Sequence, residues 1–233
     1  MSGVPPTRIT RFAVAAMVLI IVASAVYVVA TYSSLPPLLP VHFMPSGAPD
    51  RWQYRTPMRA LLPVLVEIAL AVTLGAVGAL LLSRPHGEQD AEAPDVRAAA
   101  AATEAVILMA LIWVAFQGYA AWALVWMWER GRQGLGVMYP YLELTGAVLT
   151  IVVALRAHLR LGRPEPRPFV AEHWRYGQLY NNALDPALFV PTRDGSRWTL
   201  NFGRPVTAAL LGLILAVGIV GPTVILAIFL RGQ

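Results

Sequence analysis

The chain of 233 residues contains no cysteine and no lysine, and only 13% of its residues are charged. The absence of cysteine excludes disulfide bonds, thiolate metal sites and cysteine nucleophiles. A soluble domain usually has about 25% charged residues, so a chain with half that share lacks the polar surface that a water-facing globule needs. Because 57% of the residues are hydrophobic, the composition predicts an integral membrane protein.

All 18 positively charged residues are arginines, and against 13 acidic residues they give a net charge of +5. The arginines flank apolar runs, where they meet anionic headgroups and set the orientation of the helices. This arrangement predicts the lipid bilayer as a partner and argues against nucleic acid.

Five apolar runs of about 20 residues each predict five transmembrane helices, and therefore an all-α integral membrane protein. The first run is also compatible with a cleaved signal peptide, but its hydrophobicity extends to Tyr32 and favours a retained helix. The predicted spans are Phe12–Tyr32, Met58–Leu82, Ala105–Trp128, Met138–Leu155 and Val206–Leu230.

Arginine counts predict the orientation. With the N-terminus in the cytoplasm, 12 arginines fall inside and 6 outside, so we expect a multi-pass protein of the plasma membrane with its C-terminus outside. Pro94-Asp95 predicts the start of the third helix inside. The predicted organisation is a span–loop–span unit (1–82) with a proline-rich outside loop (33–57), an acidic cytoplasmic linker (83–97), the third and fourth helices (98–157), a cytoplasmic module (158–205) and the last helix (206–233).

The cytoplasmic module contains a predicted β-hairpin at 187–202. Asp194-Gly195 separates two strand-like runs, and both residues tolerate the positive φ of a tight hairpin turn. Because an isolated hairpin is marginally stable, we expect it to pack on aromatic side chains of the module, namely Phe169, Trp174, Tyr176, Tyr180 and Phe189.

The outside loop carries a candidate catalytic pair. Prolines keep the approach to His42 extended and Gly47 permits a tight turn, so His42 and Asp50 can meet across the turn before Trp52. A histidine oriented by a carboxylate acts as a general base or a metal ligand. The alternative interpretation is a structural staple of the loop.

Two glutamates lie within predicted spans, where an ionisable residue indicates a functional site. Small residues follow both Glu67 and Glu143 at helical spacing, which predicts that both face the bundle interior. With His42 they form a candidate set of ligands for a divalent metal such as zinc, or with His42 and Asp50 an acid/base cluster; Gln117 is predicted at a similar depth. The alternative is that each glutamate joins neighbouring helices by hydrogen bonds.

The span–loop–span unit contains the segment Leu35-Pro-Pro-Leu-Leu-Pro-Val-His42, followed by Gly47 and Pro49-Asp50. On these residues the unit resembles the membrane domain of unknown function found in SdpI-type immunity proteins. The family often has a small polar residue where this chain has Met44. Residues 173–205, from His173-Trp174 to Asn201-Phe202 and Pro205, are similar to a short C-terminal domain that accompanies such units, with Ala183 in place of the usual proline.

The resemblance implies a membrane protein that confers immunity to a secreted peptide toxin and relays a signal by sequestering a cytoplasmic repressor. The residues of this chain that match the motifs of these two domains are His42, Gly47, Asp50, Trp174, Gly177, Tyr180, Asn182, Asp185, Thr199 and Asn201. We therefore expect a bacterial envelope protein that binds a peptide or lipid-like ligand from outside and has a cytoplasmic regulatory partner. The alternatives are an intramembrane hydrolase or transferase that uses His42, Asp50, Glu67 and Glu143, and a small proton-coupled transporter.

Overall fold

A computed structural model describes residues 4–44, 49–83, 93–132, 134–164 and 166–216. These residues form mainly helices, with three two-stranded antiparallel sheets between them. The helices are α1 (Arg8–Thr31), α2 (Pro57–Leu81), α3 (Pro94–Arg130), α4 (Met138–Leu161) and α5 (Pro205–Leu215). The strands are β1 (Leu38–Phe43), β2 (Pro49–Tyr54), β3 (Trp174–Arg175), β4 (Leu179–Tyr180), β5 (Phe189–Pro191) and β6 (Trp198–Leu200).

Four of the described helices, α1 to α4, are long and apolar enough to cross a membrane. They indicate a multi-pass membrane protein and confirm four of the five predicted spans. The fifth is described only as α5, with 11 residues, and the rest of that span lies outside the described residues. α3 begins at Pro94 with Asp95 in its first turn, where proline loses no hydrogen bond and a negative charge favours the helix dipole.

The chain forms two compact units, which we describe separately. The β1–β2 unit comprises residues 11–72 and 107–154, and the β3–β6 unit comprises residues 1–10, 73–106 and 155–233. The core of the β1–β2 unit joins α1, α2 and the end of α3 to β1, through Val28, Leu35, Leu39, Ala60, Val64, Val125, Met127 and Trp128.

The loop between α1 and α2 forms a β-hairpin, β1–β2, which keeps the approach to His42 extended as predicted, although the sequence did not predict strand pairing. Gly47, the predicted turn residue, lies outside the described residues. The register places Pro40 opposite Trp52 and His42 opposite Arg51, so Val41 is an extra residue on β1; Asp50 is the extra residue on β2. A bulge tolerates proline in a strand because it interrupts the ladder of hydrogen bonds. The Trp128 indole of α3 donates to the Pro40 carbonyl at 3.1 Å and so fixes the hairpin on the helix.

The β5–β6 hairpin lies within the segment 187–202, where the sequence predicts a hairpin, and pairs Val190 with Thr199. The ladder continues from the Thr192 amide to the Arg197 carbonyl at 2.8 Å, and Gly195 alone of the Asp194-Gly195 pair has positive φ, at +67°. The Asp194 carboxylate accepts hydrogen bonds from the Thr192 hydroxyl and the Ser196 amide, at 2.6 and 3.1 Å. The Ser196 hydroxyl also donates to this carboxylate, at 2.6 Å. The bond from the Ser196 hydroxyl, followed by those from Thr192 and the Ser196 amide, lowers the pKa of Asp194, and together they stabilise the turn.

Fewer aromatic residues pack in the core of the β3–β6 unit than the sequence predicts. Trp174 and Tyr180 pair across β3–β4 with ring centroids 5.3 Å apart, whereas Tyr176 is 93% exposed and does not contribute to the core. Tyr176 occupies the turn between the strands at a positive φ of 51°, which directs it away from the sheet. The core that holds β5 and β6 to the helices consists of Leu81, Leu188 and Leu210, and Phe189 packs against it as predicted.

Gly203, between β6 and α5, provides a test of this packing. A Cβ at Gly203 would lie 2.5 Å from the backbone carbonyl carbon of Asn182, whereas at Gly212 on α5 it would meet no atom within 4 Å. We expect Gly203→Ala to destabilise the protein by about 1–3 kcal/mol because backbone has to move. Thermal unfolding of the detergent-purified protein should show a lower midpoint for Gly203→Ala but an equal or higher one for Gly212→Ala, since alanine favours a helix interior. Equal midpoints would contradict the close approach of the two segments.

Candidate functional site

His42 and Asp50 meet at the end of the β1–β2 hairpin. The two bulges place His42 Nδ1 2.5 Å from Asp50 Oδ1, with side chains 40% and 38% exposed. The hydrogen bond from His42 holds the pKa of Asp50 below its ordinary value. The carboxylate orients the imidazole ring as it would in a general base or a metal ligand.

A cavity of about 430 Å³ lies between this hairpin and the end of α3; we call it the hairpin groove. Its apolar walls include Pro36, Leu38, Pro40, Trp52, Met127 and Trp128, and its polar groups include Ser34, Glu129 and Arg132. The size and the mainly apolar lining are typical of sites for small amphipathic ligands.

The wall residues of the groove differ in how firmly they are held. Trp128 is buried and hydrogen-bonded, whereas Trp52 is 54% exposed. Ser34 donates to Glu129 at 2.6 Å, so a carboxylate is fixed at the edge of the groove. The groove therefore combines a rigid floor, an exposed aromatic wall and charges of both signs, which suits a ligand with apolar and charged parts.

Glu67 on α2 is completely buried, as its position within the span predicts. Neither of its carboxyl oxygens has a hydrogen-bond partner among the described residues, although the hydroxyl of Ser24 on α1 faces it. α3 approaches closely here, because a Cβ at Gly118 would lie 3.3 Å from the Ser24 hydroxyl oxygen. Glu67 is therefore an unsatisfied polar group at the junction of three helices, which is uncommon in folded proteins.

The predicted metal set does not form. Glu143 is exposed on α4, and among the described residues no three His, Asp or Glu side chains lie close enough to hold a metal ion. His42, Glu67 and Glu143 are thus not brought together, and the prediction that Glu143 faces the bundle interior is wrong. The cause is the peripheral position of α4, whose apolar stretch is only 6% buried. Gln117 precedes Gly118 on α3 and is half-buried.

Glu104 in the β3–β6 unit is a buried carboxylate that sequence reasoning missed. It pairs with Arg156 at 2.9 Å and with Arg160, and it accepts a hydrogen bond from Thr7 at 2.7 Å. The i, i+4 spacing of the two arginines on α4 was the available signal, but the sequence indicated lipid headgroups as their partners. The ion cluster instead joins α4, α3 and the segment before α1.

The residues of the C-terminal resemblance converge on Asn201, which is fully buried. Its side-chain amide donates to the carbonyls of Asn182, Asp185 and Ala187 at 2.8–3.2 Å and accepts from the amides of Asn182 and Gly203. Thr207 in the first turn of α5 donates to the Asn201 carbonyl at 2.6 Å. Asn201 therefore connects the module to the last helix.

Asp185 is the second centre of the module. Its carboxylate accepts hydrogen bonds from the Tyr180 hydroxyl at 2.9 Å and from Arg167 at 3.0 Å, and burial raises the pKa of Tyr180. Thr199 lies half-buried on β6 opposite Val190. Trp174 and Tyr180 line a cavity of about 270 Å³. These contacts make Asn201 and Asp185 architectural residues of the module, with the cavity beside them as its accessible feature.

Part of the chain matches a known family model. Residues 19–66 match the family model of a domain of unknown function (DUF1648). No curated protein and no solved structure matches the chain. The matched segment runs from within α1 through the β1–β2 hairpin into α2, so it contains the His42–Asp50 pair and ends one residue before Glu67.

Asn201→Ala tests the centre of the module. The variant leaves three buried carbonyls and two amides without their side-chain partner, so we expect a loss of about 3 kcal/mol or more, at roughly 1 kcal/mol for each bond. Asn181→Ala is the control, because the Asn181 side chain makes no hydrogen bond among the described residues. Thermal unfolding measures both variants. A stable Asn201→Ala would show that the network does not hold the module.

The two buried glutamates should respond differently to neutralisation. A carboxylate without a partner gains nothing from its charge at this depth, so Glu67→Gln should keep the thermal unfolding midpoint. Glu104→Gln removes the partner of two half-exposed arginines and should destabilise the protein by about 1–3 kcal/mol, less than the loss of a fully buried pair. Equal destabilisation of both variants would contradict the difference in their surroundings.

Proposed function

We propose that the chain is an SdpI-like protein of a bacterial plasma membrane that binds a peptide or lipid-like ligand in the hairpin groove. The observation that supports this proposal most directly is the hairpin groove, which has a rigid apolar floor at Trp128 and an exposed wall at Trp52. A ligand that enters from the outer leaflet or the aqueous phase would place its apolar part against these rings and its charged groups near Glu129 and Arg132. The matched domain of unknown function supports the resemblance over this part of the chain.

The proposed orientation puts the hairpin groove outside and the β3–β6 strands in the cytoplasm. It follows from the arginines, of which 12 would then lie on the cytoplasmic side and 6 outside. Ligand binding would then confer immunity or be relayed to a cytoplasmic regulatory protein. The hydrogen bond between Asn201 and Thr207 supports the relay, because a displacement of α5 would act directly on the Asn201 network. The cavity lined by Trp174 and Tyr180 is the surface that such a partner would use.

A second candidate, a proton-coupled transporter, is favoured by Glu67, whose carboxyl lacks a partner among the described residues. Such a transporter would lose its proton flux in Glu67→Gln, whereas the ligand-binding protein proposed above keeps its affinity in that variant. The hydrolase alternative has less support, because His42 and Asp50 pair without Glu67 or Glu143 nearby.

Trp52→Ala tests the groove. The probe is a synthetic amphipathic helical peptide with a fluorescent label, which the detergent-purified chain should bind. Trp52→Ala should weaken this binding about tenfold or more, as expected for the loss of an aromatic anchor. Trp52 is 54% exposed, so truncating it should leave the fold intact.

Trp122→Ala is the matched control, because Trp122 is 45% exposed, lies in the same unit and does not line the groove. It should bind the peptide like the unaltered chain. Failure of the unaltered chain to bind, or equal losses in the two variants, would count against the groove as the ligand site.

A further inference from the structure

The end of α4 carries arginines in two different situations. Arg156 and Arg160 are paired with Glu104, and Arg167 is paired with Asp185. Arg163 lies just past the end of α4 and Arg197 in the loop before β6; both are exposed, and among the described residues neither forms an ion pair. Of these arginines, Arg163 and Arg197 are therefore available to an external anion, and sequence spacing alone does not bring them together.

These two arginines share a cavity of about 560 Å³ that is also lined by His158, Leu159, Ser196 and Trp198. Trp198 forms a fixed wall, because its indole donates to the carbonyls of Leu161 and Gly162 at 3.1 and 3.3 Å. Leu159 is 79% exposed. The cavity thus places cationic groups beside an apolar surface.

The position of the cavity at the end of α4 indicates which class of anion it would bind. α4 is one of the helices long and apolar enough to cross a membrane, so its last turn lies where apolar chains give way to headgroups. Tryptophan and arginine are typical of that level, and arginine pairs with phosphate through two parallel hydrogen bonds. An anionic phospholipid would place its phosphate between Arg163 and Arg197 and its acyl chain along Leu159.

Among the described residues, two negative groups near the cavity oppose an anion: the C-terminal end of α4 and the carboxylate of Asp194. The C-terminal end of a helix carries about half a negative elementary charge, which falls off within the last turn, whereas the arginines provide two full positive charges. The Trp198 indole also occupies two of the carbonyls that create this partial charge. Asp194 accepts a hydrogen bond from Ser196 but does not line the cavity.

We propose that Arg163, Arg197 and Trp198 form a binding site for the headgroup of an anionic phospholipid at the end of α4. The site is separate from the hairpin groove and does not depend on the ligand bound there. It fixes the β3–β6 strands against the membrane surface through lipid as well as through protein contacts.

The test measures lipid retention by the detergent-purified full chain in native mass spectrometry, with dioleoyl phosphatidylglycerol and dioleoyl phosphatidylcholine as probes. The unaltered chain should prefer phosphatidylglycerol, and the double variant Arg163→Gln/Arg197→Gln should bind it about tenfold or more weakly, since each arginine near an anionic surface adds to the affinity. Arg175→Gln, an exposed arginine on β3 that does not line the cavity, should retain its binding.

Further variants and a competitor separate the alternatives. Arg163→Lys/Arg197→Lys keeps both charges and should keep much of the preference, while thermal unfolding verifies that all variants are folded. Inorganic phosphate should displace the lipid only poorly, because it lacks the acyl chain that contacts Leu159. Equal retention by the double variant and Arg175→Gln would overturn the proposal, as would efficient displacement by phosphate, which would indicate a site for a free anion.

Discussion

The hydrocarbon core of a bilayer offers no hydrogen-bond partners, and the arrangement of this chain follows from that constraint. Within α1 to α4 the backbone groups are satisfied inside each helix. The described strands all lie in the segments between or after these helices. Irregular backbone, charged side chains and cavities accordingly occur where the helices end, and the candidate sites are found in those places.

Side-chain contacts at the helix ends convert loops into defined structures. The Trp128 indole holds β1 through the Pro40 carbonyl, and Arg55 donates to the carbonyls of Tyr32 and Ser33 at the end of α1. In the other unit Trp198 performs the same role for the last carbonyls of α4. In both units an indole that satisfies a backbone carbonyl also forms the wall of a cavity. Stability and the proposed ligand binding thus depend on the same residues.

Glu67 stands apart from this pattern, because its carboxyl is buried within a span without a hydrogen-bond partner among the described residues. Glu104, by contrast, has two arginines and a hydroxyl around it. The comparison shows that burial alone does not assign a role to a membrane carboxyl; the partners do. Glu104 thus attaches α3 to α4 and to the segment before α1, whereas Glu67 makes no such attachment among the described residues.

The membrane helices could be predicted from the sequence because a long apolar run is a strong, local signal. The β1–β2 strands could not, since prolines argue against strands and the pairing depends on bulges and on Trp128 in a distant helix. Burial of Glu67 followed from its depth in the span, whereas the same reasoning failed for Glu143 because a stripe of small residues does not reveal whether another helix covers it. Glu104 was missed because its partner Arg160 lies 56 residues further along the chain.

The proposed orientation, with the hairpin groove outside and the β3–β6 strands in the cytoplasm, can be tested directly by labelling. The chain lacks cysteine, so single cysteines at the exposed positions Ser33 and Ser196 can be labelled in intact cells with a membrane-impermeant maleimide. The account predicts that Ser33→Cys is labelled directly and Ser196→Cys only after the cells are permeabilised. Direct labelling of Ser196→Cys, with Ser33→Cys protected until permeabilisation, would contradict it.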